Sequence, residues 1–416
     1  MRIVLAPYGS YGDVLPMVPL AQRLIAEGHD VLVCGPPEHE DLRKELGCDY
    51  RHFGKDVYRQ TRSAPEPATH PFAGSVAILR FMADQLESHV DQLRSLAAHA
   101  DILVACGINV AGGIAAKILG ISYRYIAFCP RLIPARSQPP DTVRFHHMPE
   151  WLNSLAWKAQ YALITQAMRP AVKRIEAKTG ARIVRHPVTA WLGTHPIVAS
   201  DPILGKIPDD ARFPTIQTGF HEYEREASLP PDLEEFLDKG PPPVYVGFGS
   251  MMNDSPRDMT ALVVGAARGA GQRLVVTAGW AGLGADNPGS DCYFTDNRLA
   301  FKRLFPRVAA AVHHGGSGTL STAARAGIPQ VIVPHIADQF YWAHQVAEVG
   351  IGPRGVPRSR LSVERLQAAI HAAVSEPRFM ARATQVKNAL SVTDGVSLTA
   401  KAIVEAASPN PPRDPK

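Results

Sequence analysis

Apolar and polar residues change places along this chain in blocks of fixed length. "RIVLAP" (2–7) is short and apolar enough for a strand buried on both faces, and "YGSYGDVLP" (8–16) is a glycine-rich turn. "MVPLAQRLIAEG" (17–28) sets Val18, Ala21, Leu24 and Ile25 on one face of a helix that Gly28 stops, and "DVLVCG" (30–35) is the next strand. Strands apolar throughout belong in a parallel sheet covered by helices on both sides. The unit returns at 101–128, with strand "DILVAC", a helix around "GGIAAKILG" and strand "YRYIAF".

The pattern breaks at 130–150, a loop-like stretch with five prolines, and a long helix is predicted over 152–180. It restarts at "VYVGFGS" (244–250) and runs through "MTALVVGAARGAG" (259–271), "QRLVVTAGW" (272–280), "AAAVHH" (309–314), "TLSTAARAG" (319–327) and "PQVIVP" (329–334). Two such series predict an α/β fold of two Rossmann-like, doubly wound parallel-sheet domains. The expected boundaries are 1–205 for the first domain, 206–240 for a linker rich in Pro, Asp and Glu, and 241–395 for the second. Residues 396–416 are expected to form a helix that can return to the first domain, followed by a disordered tail.

Composition narrows the class. A length of 416 residues with 45% hydrophobic and 20% charged residues is that of a soluble globular enzyme. A formal charge of +5 without any Lys/Arg run argues against nucleic-acid binding. The five cysteines are scattered, with no CxxC pair, which reads as reduced thiols without a disulfide framework or a zinc site. "MRIVLAPYGS" is a first strand and not a signal peptide. The most membrane-like stretch, 102–121, is broken by Asn109, Lys117 and four glycines, so no stable membrane insertion is expected. The expected location is cytoplasmic; oligomeric state is not legible.

Candidate chemistry sits beyond the carboxyl ends of strands, where helices begin. In "AAAVHHGGSGT", Gly315, Gly316 and Gly318 let the backbone approach a ligand, and Ser317 or Thr319 can cap the helix or donate a hydroxyl. The helix start favours negative charge and His314 adds a donor, which points to a phosphate or diphosphate; a helix start with nothing bound fits the same letters. No GxxxxGK[ST] occurs, "GSYGDV" is not GxGxxG, and the second strand ends in Gly35-Pro36 rather than an acid, so P-loop and nicotinamide enzymes are excluded. Asp338 and Gln339 can hold adjacent sugar hydroxyls, or Asp338 can simply start a helix. Asp13 stands beyond the first strand, where a carboxylate can take a proton or cap a helix near Pro16.

Taken together, "GSYGDVLPMVPLAQRLIAEGHDV", "PPPVYVGFGSM", "LFPRVAAAVHHGGSGT" and "AGIPQVIVPHIADQFYWA" resemble, in order and spacing over nearly the whole chain, the nucleotide-sugar-dependent glycosyltransferases of the GT-B fold. Within family 1 the chain looks most like the bacterial antibiotic and sterol glucosyltransferase branch. The resemblance implies an inverting, metal-independent transfer of a hexose from a UDP- or dTDP-sugar, which is a substrate and not a cofactor. The donor would bind in the second domain and the acceptor in the first. By position, His314, Thr319, Gly316 and Ser317 would hold the diphosphate, with Ser250 nearby and Ser10 approaching from the facing domain. Asp338 and Gln339 would hold the sugar, and Asp13 would be the general base. Two features depart from plant relatives: Thr322 stands where they carry a ribose-binding glutamate, and no tryptophan lies near Asn297, Leu299 and Ala300 to stack on the base. Trp280 is the candidate to line that region instead, which leaves UDP and dTDP both open.

The apolar helices around 72–90 and 155–168 suggest an apolar acceptor such as a natural product, sterol or lipid, although core packing explains them as well. The Pro-rich loop between them reads as a lid, and its His146 and His147 as substrate contacts or solvated side chains. Two other functions use the same fold. A nucleotide-sugar epimerase would turn over donor without acceptor, and a catalytically silent helper would be expected to lose the base or phosphate residues, which are present.

Overall fold

A computed structural model describes residues 1–63, 71–183, 187–223, 227–284, 289–296 and 298–407. The predicted tail at 408–416 lies outside the described residues. Seven strands form the first sheet: β1 (Arg2–Tyr8), β2 (Asp30–Gly35), β3 (Asp49–His52), β4 (Ile102–Gly107), β5 (Ser122–Ala127), β6 (Ile197–Val198) and β7 (Ile216–Gln217). Their order is β3-β2-β1-β4-β5-β6-β7, parallel throughout. Five more form the second: β8 (Val244–Gly247), β9 (Leu274–Thr277), β10 (Cys292–Thr295), β11 (Ala310–His313) and β12 (Gln330–Ile332). These run β10-β9-β8-β11-β12, again all parallel.

The alternation of side chains along a strand divides each apolar run between two cores. Val4 and Ala6 of β1 face a core shared with helices Pro71–Leu96, Ala111–Leu119 and Glu150–Thr179. Ile3 and Leu5 face the other, which helix Met17–Ala26 shares with Ala400, Ile403 and Ala406 of the C-terminal helix Gly395–Ala407. Ser122 Oγ donates to Ala406 O at 2.9 Å, so the last described helix closes the first domain.

Of the 206–240 stretch, Ile216–Gln217 joins the first sheet, while helix Pro231–Asp238 packs Leu233 and Leu237 on the second domain beside Tyr245 and Val275. The 102–121 stretch divides into β4, a turn and helix Ala111–Leu119, and among the described residues no helix is long and apolar enough to cross a membrane.

A buried ion pair ties the end of the first domain to the second. Asp201 accepts from Arg325 Nη2 at 2.7 Å and from Ser321 Oγ at 3.0 Å, with its side chain fully out of solvent. Both partners lie on helix Ser317–Ala326, whose other end faces the interdomain cleft. Asp201→Ala leaves the Arg325 guanidinium buried beside only the Leu390 carbonyl. The expected loss is about 3 kcal/mol of unfolding free energy. Urea denaturation of the purified variant reads it, and an unchanged midpoint would mean that the pair contributes nothing.

Candidate active site

The carboxyl ends of both sheets open onto one cleft of about 2750 Å³. Its lining includes Ser10, Asp13, Ser250, Trp280, Leu299, His314, Gly316, Ser317, Gly318, Thr319, Asp338 and Gln339, but not Gly315, which the sequence also singled out. Asn297 lies outside the described residues.

On the first-domain wall, β1 runs into the short helix Tyr11–Val14. Ser10 caps it, and Asp13 is its capping-box partner: Ser10 N–H and Oγ–H donate to Asp13 Oδ2 at 2.9 and 3.4 Å. Capping and proton transfer therefore do not compete, because Oδ1 has no hydrogen-bond partner among the described residues. The carboxylate sits in a niche that only glycine permits. A Cβ on Gly107, whose φ is +68°, would stand 2.3 Å from Tyr8 O and 2.9 Å from Oδ1. Burial pushes the Asp13 carboxyl up to about 6, against the pull of the Ser10 hydrogen bonds.

On the second-domain wall, β11 ends at His313, and Gly316 is the N-cap of helix Ser317–Ala326. The first amide to bond within this helix is that of Leu320, to Gly316 O at 3.0 Å. The amides before it therefore precede the helical ladder, at the positive end of the helix dipole. Successive strand residues point opposite ways, which gives the two histidines different roles. His313 is fully buried: its Nδ1 accepts from Gly315 N–H at 3.2 Å and its Nε2 donates to Gln330 Oε1 at 2.9 Å, so it frames the turn. His314 faces the cleft between Gly249 and Gly316, where a Cβ on Gly316 would stand 2.4 Å from its Nε2. Burial, with His313 and His335 nearby, holds its imidazole neutral, opposed only by the Gly247 backbone. A neutral ring donates one hydrogen bond without adding a full charge.

Asp338 occupies the N-cap position of helix Gln339–Val349, yet its side chain does not cap; Oδ2 accepts instead from Trp342 Nε1 at 3.2 Å. Burial, then the charges of Asp141 and Asp13, push its carboxyl up to about 7. Asp13 belongs to the other domain, so the two walls are close enough for their carboxylates to repel. Gln339 Oε1 takes the amides of His335 and Ile336 at 2.8 and 3.1 Å, and its NH₂ donates to Met251 Sδ at 3.2 Å. That clamp secures a turn in which Ala337 takes φ +48°, a rare conformation for a residue with a side chain.

At the far end, Trp280 N–H donates to Gly249 O at 2.8 Å and its ring meets Tyr58 of the first domain at 5.0 Å. Leu299 is buried beside Arg298, whose guanidinium lies 4.5 Å over the Tyr11 ring and pairs with Asp41 at 2.5 Å. Thr322 lines the cleft and donates to Gly318 O at 3.0 Å. His146 is not simply solvated: it stacks on His344 at 4.1 Å and its Nδ1 accepts from Arg131 at 2.9 Å. Sequence reasoning missed His39, a buried ring that donates from Nε2 to Gly9 O at 3.2 Å. It also missed Arg298 and Asp141, since no local pattern marks a residue whose partner lies in another domain.

Comparisons with known proteins bear on the family and the fold. Residues 294–396 match the family described as Erythromycin biosynthesis protein CIII-like, C-terminal domain. The chain is 34% identical over 428 residues to the vancomycin aglycone glucosyltransferase of Amycolatopsis orientalis, covering 99% of each chain. It is 34% identical over 421 residues to glycosyltransferase GtfE of the same organism, covering 100% of each. Among solved structures, the glycosyltransferase VinC in complex with dTDP superposes with a TM-score of 0.69 at 19% identity, over 98% of this chain and 99% of that one.

The raised Asp338 carboxyl has a consequence for stability. Its ordinary value is 3.8 and its folded value about 7, so folding takes up a proton and stability falls as pH rises between them. Thermal midpoints of wild type and Asp338→Asn should diverge from acid to pH about 8, with the variant gaining relative to wild type. A constant difference across that range would mean that Asp338 titrates as an ordinary surface acid.

Proposed function

The chain belongs to the family 1 glycosyltransferases, and from that premise we propose an inverting enzyme with Asp13 as general base. It moves a hexose from a UDP- or dTDP-sugar to a hydroxyl of an apolar small molecule. The observation that carries this reading is that the Asp13 carboxylate of one domain and the 314–319 helix start of the other line the same cleft.

In the proposed step the acceptor oxygen attacks the anomeric carbon as Asp13 takes the hydroxyl proton. The bond from that carbon to the diphosphate oxygen breaks, and the electron pair leaves with the nucleotide. The developing charge meets the amides of Gly316, Ser317 and Thr319 and the neutral His314 imidazole, all fixed beforehand and part-desolvated. Ser250 and Ser10 line the same cleft and would assist, and Asp338 with Gln339 takes the sugar hydroxyls. The clamp on Gln339 leaves one of its NH₂ hydrogens for a ligand. A donor-holding helix start does the work for which other glycosyltransferases use a divalent cation, so no metal is required.

Trp280 and Leu299 line the base region. Thr322 gives its hydroxyl hydrogen to Gly318 O and offers a ribose only its lone pairs, in place of the glutamate of plant relatives, so the reading keeps UDP and dTDP alike. The dTDP in the VinC structure supports a thymidine donor as readily as a uridine one. An apolar acceptor is supported by Ile78, Phe81, Met82, Leu132 and Ile164 along the first-domain wall.

Asp13→Asn should lower kcat by about 10²- to 10⁴-fold while the Kd for the nucleotide diphosphate changes by less than about twofold. His314→Ala should weaken nucleotide binding about tenfold as well as slowing turnover. Calorimetric titration beside rate measurements separates the two, and wild-type turnover in Asp13→Asn would remove it from the mechanism. A base must be ionised to accept a proton, so kcat/KM should rise with pH through a limb near about 6. A flat profile from acid to neutral pH would argue against an Asp13 base, and loss of transfer in EDTA would contradict the metal-free step.

A further inference from the structure

One end of the cleft carries positive charge that the proposed transfer does not use. Helix Gln339–Val349 starts at the Asp338–Gln339 pair and continues past Phe340, His344 and Glu348, all of which line the cleft. The 139–147 segment of the first domain lies across from it. Arg144 sets its guanidinium 4.6 Å over the Phe340 ring, and His146 stacks on His344 with planes 9° apart. His147 meets the same His344 ring edge-on at 5.2 Å, and Arg354 lines the cleft beside them.

Among the described residues neither Arg144 nor Arg354 has a carboxylate within ion-pair distance. Arg131, by contrast, is buried and committed: it donates to Pro139 O at 3.0 Å, to Phe145 O at 2.6 Å and to His146 Nδ1 at 2.9 Å. Acids nearby are Glu348, one turn beyond His344, Asp338 at the helix start, and Asp141, which accepts from Gln160 Nε2 at 3.4 Å and feels the Arg131 charge. The fixed positive charges acting on the His146 ring are Arg131 and Arg354, which together with burial push it down to about 3, whereas at His344 the Glu348 carboxylate opposes them. A guanidinium stacked on an aromatic face keeps its in-plane N–H donors available, so Arg144 can rest on Phe340 and still take an anion at its edge.

We propose that the acceptor carries a carboxylate, and that Arg144 and Arg354 hold it beyond the sugar site while the apolar wall takes the rest of the molecule. This rests on the transfer reading and narrows its acceptor class. The acceptor is favoured over the donor because Arg144 belongs to the acceptor-side domain and the cluster lies along the helix past Asp338, away from Trp280 and Leu299. Phosphate-bearing acceptors share the chemistry but need a denser set of donors than two guanidiniums and neutral imidazoles.

Two fluorescent phenols of the same shape test it: 7-hydroxycoumarin and 7-hydroxycoumarin-3-carboxylate, at pH about 6.5, where the carboxylate is ionised. Fluorescence anisotropy should show wild-type enzyme binding the carboxylate about tenfold more tightly. That preference should shrink to within about twofold in Arg144→Gln/Arg354→Gln and in about 0.5 M salt, and survive in part in Arg144→Lys/Arg354→Lys. Equal binding of the two coumarins by wild type, or a preference that the double Gln variant keeps, overturns the proposal. So does a preference for UDP-glucuronate over UDP-glucose that the double variant abolishes, because the anion would then sit on the donor. These affinities need no turnover, so they stand apart from the transfer reading, which fails instead if no coumarin glycoside forms from any nucleotide sugar.

Discussion

A carboxylate and a helix start, both part-buried, line one cleft from opposite domains, and much of this fold holds them there. Neither group is content alone. Amides ahead of the first helical hydrogen bond have no intrahelical partner, and the Asp13 carboxyl is pushed up to about 6 by burial. Each is held by something rigid: Asp13 by the Ser10 capping box and the Gly107 niche, the helix start by His313. The far end of that helix is tied to Asp201 of the first domain. A ligand that brings an anion to one wall and a proton to the other relieves both groups at once.

The same cleft separates charge along its length. Asp13 raises the proton affinity of Asp338 where, in the proposed reaction, sugar hydroxyls and an attacking hydroxyl would meet, and the neutral His314 imidazole faces the proposed diphosphate position. Beyond them lie Arg144, which covers Phe340, and Arg354, neither with a carboxylate within ion-pair distance among the described residues. A neutral His314 suits a site that must release its product: a permanent cation there would hold the departing nucleotide more tightly.

Much of this was legible in the letters because parallel strands buried on both faces leave long apolar runs. β1, β2, β4, β5, β8, β9, β11 and β12 follow from them, with ends that agree to within about three residues. β3 was not legible because "DYRH" buries only Tyr50, and β6 and β7 are two residues each, too short for any period to register. β10, "CYFT", is a sheet edge buried at Cys292 alone. At the site, local motifs such as HHGGSGT and the Asp-Gln pair carried their own signal. What stayed hidden was contact between domains: Arg298 with Asp41, Trp280 with Tyr58, His146 with His344. Those pairs depend on how two sheets face each other, which no spacing along the chain records. The reading of Asp338 as a bare helix cap gives way for a local reason, because its carboxylate turns to Trp342 instead.

The most direct test is a crystal structure of the enzyme with UDP or dTDP bound. The diphosphate oxygens should lie within about 3 Å of the Ser317 and Thr319 amides and of a His314 ring nitrogen, with Asp13 Oδ1 open to the same space. A diphosphate bound elsewhere, or one that leaves those amides without a partner, would contradict the claim that this helix start receives the leaving group.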